Sequence, residues 1–117
     1  MNILIGYDRC STCKKAEDFL KAEGVSFQKR PIKEEKLSAK EIHEIRERSG
    51  LPLKRFFNTS GLKYRELGLK EKVPHLSAQE AADLLATDGM LIKRPLLVRD
   101  NQILQIGYRK AYEELGL

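Results

Sequence analysis

The chain has 117 residues, of which 41% are hydrophobic and 33% charged, and its formal net charge is +5. That length fits one domain with a modest core, and that composition describes an ordered chain rather than a disordered one. No run approaches the roughly 18 apolar residues of a membrane span, the N-terminus lacks the basic start and apolar core of a signal peptide, and the basic residues alternate with acids, as in Lys33-Glu34-Glu35-Lys36, which reads as a solvated helical surface rather than a nucleic-acid-binding face.

Asn2 to Tyr7, with Ile3, Leu4 and Ile5 in a row, predicts a buried strand. A helix is expected from Ser11 to Glu23, with Ala16, Phe19 and Leu20 inward, Lys14, Lys15, Asp18 and Lys21 outward, and Gly24 as its stop. Val25 to Ile32 reads as a second strand, so strand, helix and strand make a parallel crossover. Ser38-Ala39-Lys40-Glu41 and Ser77-Ala78-Gln79-Glu80 have the form of capping boxes. The first opens a helix carrying Ile42 and Ile45 and ending at Gly50, and the second opens one carrying Ala81, Leu84 and Leu85. Between them, Pro52 opens a short helix through Phe57, Thr59-Ser60-Gly61 breaks the chain, and Tyr64 to Lys72 predicts another short helix stopped by Pro74. After a turn at Asp88-Gly89 comes the apolar run Met90-Leu91-Ile92, read as a buried strand leading into Lys93-Arg94-Pro95. Leu96 to Val98 and Ile103 to Ile106 predict a hairpin around Asp100-Asn101, and a final helix is expected over 109–115. Glu-Leu-Gly-Leu occurs at 66–69 and 114–117, which reads as two glycine-capped helix ends rather than a repeat.

The chain's two cysteines, Cys10 and Cys13, lie three positions apart where the first strand meets the first helix. A disulfide across so short a loop adds little as a staple. Zinc needs about four ligands, and only His43 and His75 remain to supply them. Two inert core thiols are the plain alternative. A helix start, however, offers unpaired amides and the positive end of the dipole, which stabilise a thiolate at Cys10. Cys13 sits one turn along, placed to resolve a mixed disulfide formed there. Ser11 and Thr12 are candidate donors to a bound anion. Arg94-Pro95 is either a cis peptide that brings a guanidinium toward the thiolate or an ordinary trans proline beside a solvated arginine.

The strand leading to Cys10-Ser11-Thr12-Cys13-Lys14-Lys15-Ala16 resembles the start of the arsenate reductase (ArsC)-like family. The family includes the Spx-type regulators and uncharacterised proteins of the YffB and YusI kind, and Phe56-Phe57-Asn58-Thr59-Ser60-Gly61, Tyr64-Arg65-Glu66-Leu67-Gly68-Leu69 and Asp88-Gly89-Met90-Leu91-Ile92-Lys93-Arg94-Pro95 resemble that uncharacterised branch especially, in the same order along nearly the whole chain. The resemblance implies one thioredoxin-like (glutaredoxin-like) α/β domain over 1–117. Its four-stranded mixed sheet would carry a helical insertion at about 38–88. The resemblance also implies that Cys10 is the nucleophile, that Pro95 is a cis proline beside which substrate binds, and that Arg94 faces the cysteine. Arsenate reductases of this type surround the cysteine with three arginines. Here Asn58 and Gly107 stand at two of those positions, and Gly6 stands where a histidine precedes the cysteine. One guanidinium stabilises an oxyanion much less than three.

The leading expectation is therefore a cytoplasmic, monomeric thiol–disulfide oxidoreductase. Cys10 and Cys13 form its redox-active pair, it acts on a thiol or disulfide substrate, and it holds no cofactor beyond glutathione as a co-substrate. The alternative is a Spx-like redox-sensing regulator that binds the RNA polymerase α subunit, with arsenate reduction behind both. His43 is expected to face solvent, His75 to lie in a loop, Phe56, Phe57 and Leu53 to pack in the core, and Tyr64 and Tyr108 have no place assigned.

Overall fold

The computed structural model describes residues 1–7 and 9–107. The helix expected over 109–115 and Tyr108 lie outside them.

Asn2–Gly6 forms β1, Ser11–Ala22 forms α1 and Phe27–Pro31 forms β2. β1 and β2 run parallel, Asn2 opposite Phe27 and Gly6 opposite Pro31. Leu96–Arg99 forms β3 and Gln102–Ile106 forms β4. β3 lies antiparallel to both β1 and β4, so the mixed sheet has the order β2-β1-β3-β4. Asp100 and Asn101, at φ 52° and 63°, make the tight hairpin turn whose twist matches the flanking strands. Successive strand residues face opposite sides. Leu4 and Leu97 therefore pack with Ala16 and Leu20 of α1, while Ile5, Leu96 and Val98 pack with the helices on the other face. Both faces are covered, which is why β1 reads as consecutive apolar residues rather than an alternation. This is the thioredoxin-like α/β arrangement.

The helical insertion sits between β2 and β3. α2 (Ala39–Ser49) starts at the Ser38/Glu41 capping box and ends at Gly50 in the left-handed region, as the sequence predicts. A 3-10 turn follows at Leu53–Phe56. The single helix expected over Tyr64 to Lys72 is two, α3 (Leu62–Glu66) and α4 (Leu69–Lys72), because Gly68 between them takes φ +64° and interrupts the hydrogen-bond ladder. α5 (Ala78–Thr87) starts at its own capping box and packs on α2. The run Met90-Leu91-Ile92 is not a strand. The Asp88 carboxylate accepts from the Met90 amide at 2.9 Å and winds Gly89–Leu91 into a 3-10 turn. Ile92 then makes one isolated antiparallel bridge with Phe57. No helix among the described residues is long and apolar enough to cross a membrane.

One ion pair fixes the entry to the insertion. Arg30 of β2 donates to both carboxylate oxygens of Glu41, at 2.6 and 3.1 Å, and to the carbonyls of Glu35 and Lys36 at 2.9 and 3.1 Å. The Arg30 hydrogen bond outweighs the opposing effect of partial burial, and with the Ser38 amide it holds the Glu41 carboxyl at about 2. A depressed carboxyl contributes stability above its unfolded value of about 4.3, and that stability is lost as pH falls toward the folded value. Water screens this pair, since the Glu41 side chain is 40% exposed, so Glu41→Gln is expected to cost roughly 1 kcal/mol at pH 7. The variant should also lose stability less steeply than wild type between about pH 4.5 and 2. Urea unfolding across that range checks both; parallel pH curves would contradict the assignment.

Candidate active site

Cys10 caps the N-terminus of α1, at φ −91° and ψ 120°, outside the helical region. Its amide donates to the Tyr7 carbonyl at 3.0 Å, which fixes the turn out of β1, and its carbonyl accepts the Lys14 amide at 3.0 Å to start the helix. The side chain therefore swings over the free amides. Its sulfur accepts from the Cys13 amide at 3.4 Å and lies 3.0 Å from Thr12 Oγ1. No acidic residue occupies the first turn of α1 to compete for the dipole. Burial alone raises the pKa of the Cys10 thiol. The hydrogen bonds from the Cys13 side chain, the Thr12 hydroxyl and the Cys13 amide, with the charge of Arg94, outweigh that and hold the thiol below its ordinary value. The sulfur is neither sealed nor fully exposed, since Cys10 is half-buried.

Cys13 is the contrasting partner. It is buried, at 5% exposure, and both cysteines are free thiols. Burial, then the hydrogen bond with Cys10 and the Cys10 charge, push its thiol up to about 12. Cys13 thus keeps its proton and offers it to the Cys10 sulfur. The close packing depends on Gly6, where a Cβ would stand 3.1 Å from Cys13 Sγ. A cavity of about 190 Å³, lined by Leu4, Gly6, Tyr7 and Glu17 among others, opens beside Cys13.

The Arg94–Pro95 peptide is cis. Pro95 is buried, and its carbonyl accepts the Gly107 amide at 2.8 Å. Arg94 Nη1 donates to the carbonyls of Ile92 and Met90 at 3.2 and 3.3 Å, which anchors the half-buried guanidinium near both sulfurs. Its Nε is shielded, with no hydrogen-bond partner among the described residues. Of the residues that the sequence nominates, the fold brings together Cys10, Thr12, Cys13 and Arg94, while Ser11 is exposed at the first turn.

Sequence reasoning missed Tyr7. Its ring lies under Arg94, 5.7 Å from Cζ to the centroid, a stacking that helps hold the cation. Only its place three residues before Cys10 hinted at a role. Tyr64 is buried in the core against Phe57, away from any catalytic assignment. His43 is not solvent-facing as expected. It is half-buried with Nε2 shielded, because its position on α2 turns partly toward the core. His75 is exposed in a 3-10 turn. Lys14 pairs with Asp18 at 3.0 Å on the helix surface.

Comparison with known proteins decides the family. The model of the ArsC family matches residues 5–114. The chain belongs to the ArsC family. It is 48% identical over 109 residues to the uncharacterised protein YusI of Bacillus subtilis, covering 92% of each chain. It is 27% identical over 110 residues to the global transcriptional regulator Spx of Lactiplantibacillus plantarum, covering 94% of this chain and 81% of that one. A Streptococcus mutans UA159 crystal structure, described as a possible arsenate reductase, superimposes with a TM-score of 0.94 at 51% identity, over 100% of this chain and 98% of that one. This ArsC-family membership agrees with the resemblance carried by the cysteine segment and the Arg94-Pro95 segment.

Proposed function

We propose that this ArsC-family protein is a thiol–disulfide oxidoreductase working through Cys10 and Cys13. One observation carries the reading: the half-exposed Cys10 sulfur accepts from the Cys13 amide at a helix start and is held below the ordinary thiol range, while its buried neighbour is held about 12. In the first step the Cys10 thiolate attacks one sulfur of the substrate disulfide. A mixed disulfide forms, and the other substrate sulfur leaves as a thiolate that takes a proton from water. In the second, Cys13 attacks Cys10 Sγ, the mixed disulfide breaks, and the Cys13 proton passes to the substrate thiolate that leaves. Cys10–Cys13 is then oxidised by two electrons and the substrate reduced by two. A dithiol, or two equivalents of a monothiol such as glutathione, returns the pair to the thiol form. Thr12 and Arg94 hold the anion at Cys10 between cycles, and Ser11 and the Pro95 backbone border the approaching substrate. We place this activity in a monomer in the cytoplasm.

Redox titration with thiol trapping tests the reading. A Cys10–Cys13 disulfide should form reversibly within the range of about −320 to −220 mV spanned by cytosolic glutathione. In the same preparation, the alkylation rate of Cys10 should rise with pH through a midpoint below the ordinary thiol value, and Thr12→Val or Arg94→Gln should move that midpoint up. A disulfide that does not form under mild oxidant, together with an ordinary alkylation midpoint, would leave the cysteines as inert core thiols.

The likeness to Spx over 94% of the chain supports a second reading, in which the same pair is a sensor and the protein binds the RNA polymerase α subunit. It predicts pull-down of that subunit, redox-dependent, with negligible turnover. Arsenate reduction draws less support, since among the described residues Arg94 is the cation shown to bear on Cys10 and its Nη1 is committed to two carbonyls.

A further inference from the structure

At Lys93, the residue before Arg94, the chain builds a second charged feature. The Lys93 amide donates to the Phe56 carbonyl and the Asn58 amide to the Leu91 carbonyl, each at 2.7 Å, which ties segments 56–58 and 91–93 side by side. On that frame Lys54, Arg55, Thr59 and Lys93 line a cleft of about 200 Å³ whose apolar floor is Phe57 and Ile106. None of these lining residues is acidic. The Lys93 stem lies across Gly107, where a Cβ would come 2.9 Å from Lys93 Cε on a backbone already at φ +73°. Glycine at 107 thus leaves a bed for the lysine in the cleft wall. Three cations around so small a space repel one another, and an anion entering it relieves that repulsion while gaining charge-assisted hydrogen bonds. The volume suits one carboxylate with its short stem. Lys93 adjoins Arg94, whose charge bears on Cys10, and the Gly107 amide beneath the lysine stem donates to the Pro95 carbonyl, so the cleft and the cysteine site share the Arg94–Pro95 segment.

We propose that this cleft selects the disulfide partner, by binding an acidic side chain that lies within a residue or two of the partner's reacting cysteine. The proposal rests on the oxidoreductase reading for the sulfur's position at Cys10, but the cleft can be tested separately.

The probes are short peptides whose single cysteine carries a neutral 2-thiopyridyl disulfide and is flanked by Asp, Asn or Lys. Attack by Cys10 on the peptide sulfur forms the mixed disulfide and releases 2-thiopyridone, which is read by absorbance. Reduced protein should react fastest with the Asp peptide and slowest with the Lys peptide, with about tenfold between Asp and Asn at low salt, as one carboxylate among two exposed cations and a half-buried one would give. The triple variant Lys54→Gln/Arg55→Gln/Lys93→Gln should lose that preference. A control that removes the same charge outside the cleft, Lys63→Gln/Lys70→Gln/Lys72→Gln, should keep the preference. Equal rates for Asp and Asn peptides in wild type, or a preference lost equally in the control, overturn the proposal. If wild type reacts with no peptide, the oxidoreductase reading fails, and the cleft is decided by binding of the Asp peptide with serine replacing its cysteine. Saturable amide shifts at Thr59 and Lys93, absent in the triple variant, sustain the cleft; none in wild type refutes it.

Discussion

Cys10→Ser should lower disulfide reduction by roughly a thousandfold or more, because a serine hydroxyl supplies no anion at neutral pH and no sulfur to exchange. Cys13 cannot substitute for it. Its sulfur is buried, and that burial, the first cause of its raised pKa, persists when Cys10 is replaced, so little of it is thiolate at pH 7. Cys13→Ser should behave differently. The first attack proceeds, since the helix start, Thr12 and Arg94 remain in place. The second step has no thiol to carry it, so the protein accumulates as the mixed disulfide with substrate. Intact-mass measurement after quenching with acid reads that species directly, and a steady-state assay gives the Cys10→Ser loss. Full turnover by Cys13→Ser with a monothiol reductant would show that the external thiol, not Cys13, resolves the intermediate. Full turnover by Cys10→Ser would remove the nucleophile from the account altogether.

Features whose cause is local were legible in the residues. Ser38 with Glu41 and Ser77 with Glu80 cap their helices reciprocally, because a capping box needs only four consecutive residues to close. Asp100-Asn101 turns the hairpin because those side chains tolerate the left-handed region. Cys10 caps α1 for the same local reason. What the sequence could not display depends on distant segments meeting. Met90-Leu91-Ile92 has the composition of a strand, yet Asp88 winds its start into a 3-10 turn and leaves Ile92 a single bridge. Tyr7 acquires its meaning only when Arg94 lies over its ring, 87 positions along the chain. The cleft behind Lys93 likewise joins residues 54–59 to 93 and 106. The cis peptide is an intermediate case: Arg94-Pro95 is visible in the sequence, residue order alone allows either isomer, and the family resemblance favours the cis form that the fold adopts.

Phe57→Ala should be the most damaging single change that leaves both cysteines intact. The ring is 1% exposed and packs against Tyr64 at 6.2 Å between centroids. Truncating such a buried aromatic costs about 3–5 kcal/mol through lost burial and an unfilled cavity. That is a large share of the roughly 5–15 kcal/mol typical of a domain, and it should appear as a lower urea midpoint at unchanged slope. Its effect should also reach the sulfur. Phe57 bridges Ile92, and the Ile92 carbonyl holds the Arg94 guanidinium that favours the Cys10 thiolate. In protein kept folded by low temperature and no denaturant, the Cys10 alkylation midpoint should therefore rise. Ile42→Ala supplies the comparison. Ile42 is equally buried, in α2, and its removal costs about 2–5 kcal/mol by the same reasoning, but among the described residues the backbone bridge to Ile92 is made by Phe57 and not by Ile42. If both variants shift the midpoint alike, general loosening explains the change. A shift confined to Phe57→Ala makes the 57–92 bridge the support that carries core packing to the thiolate.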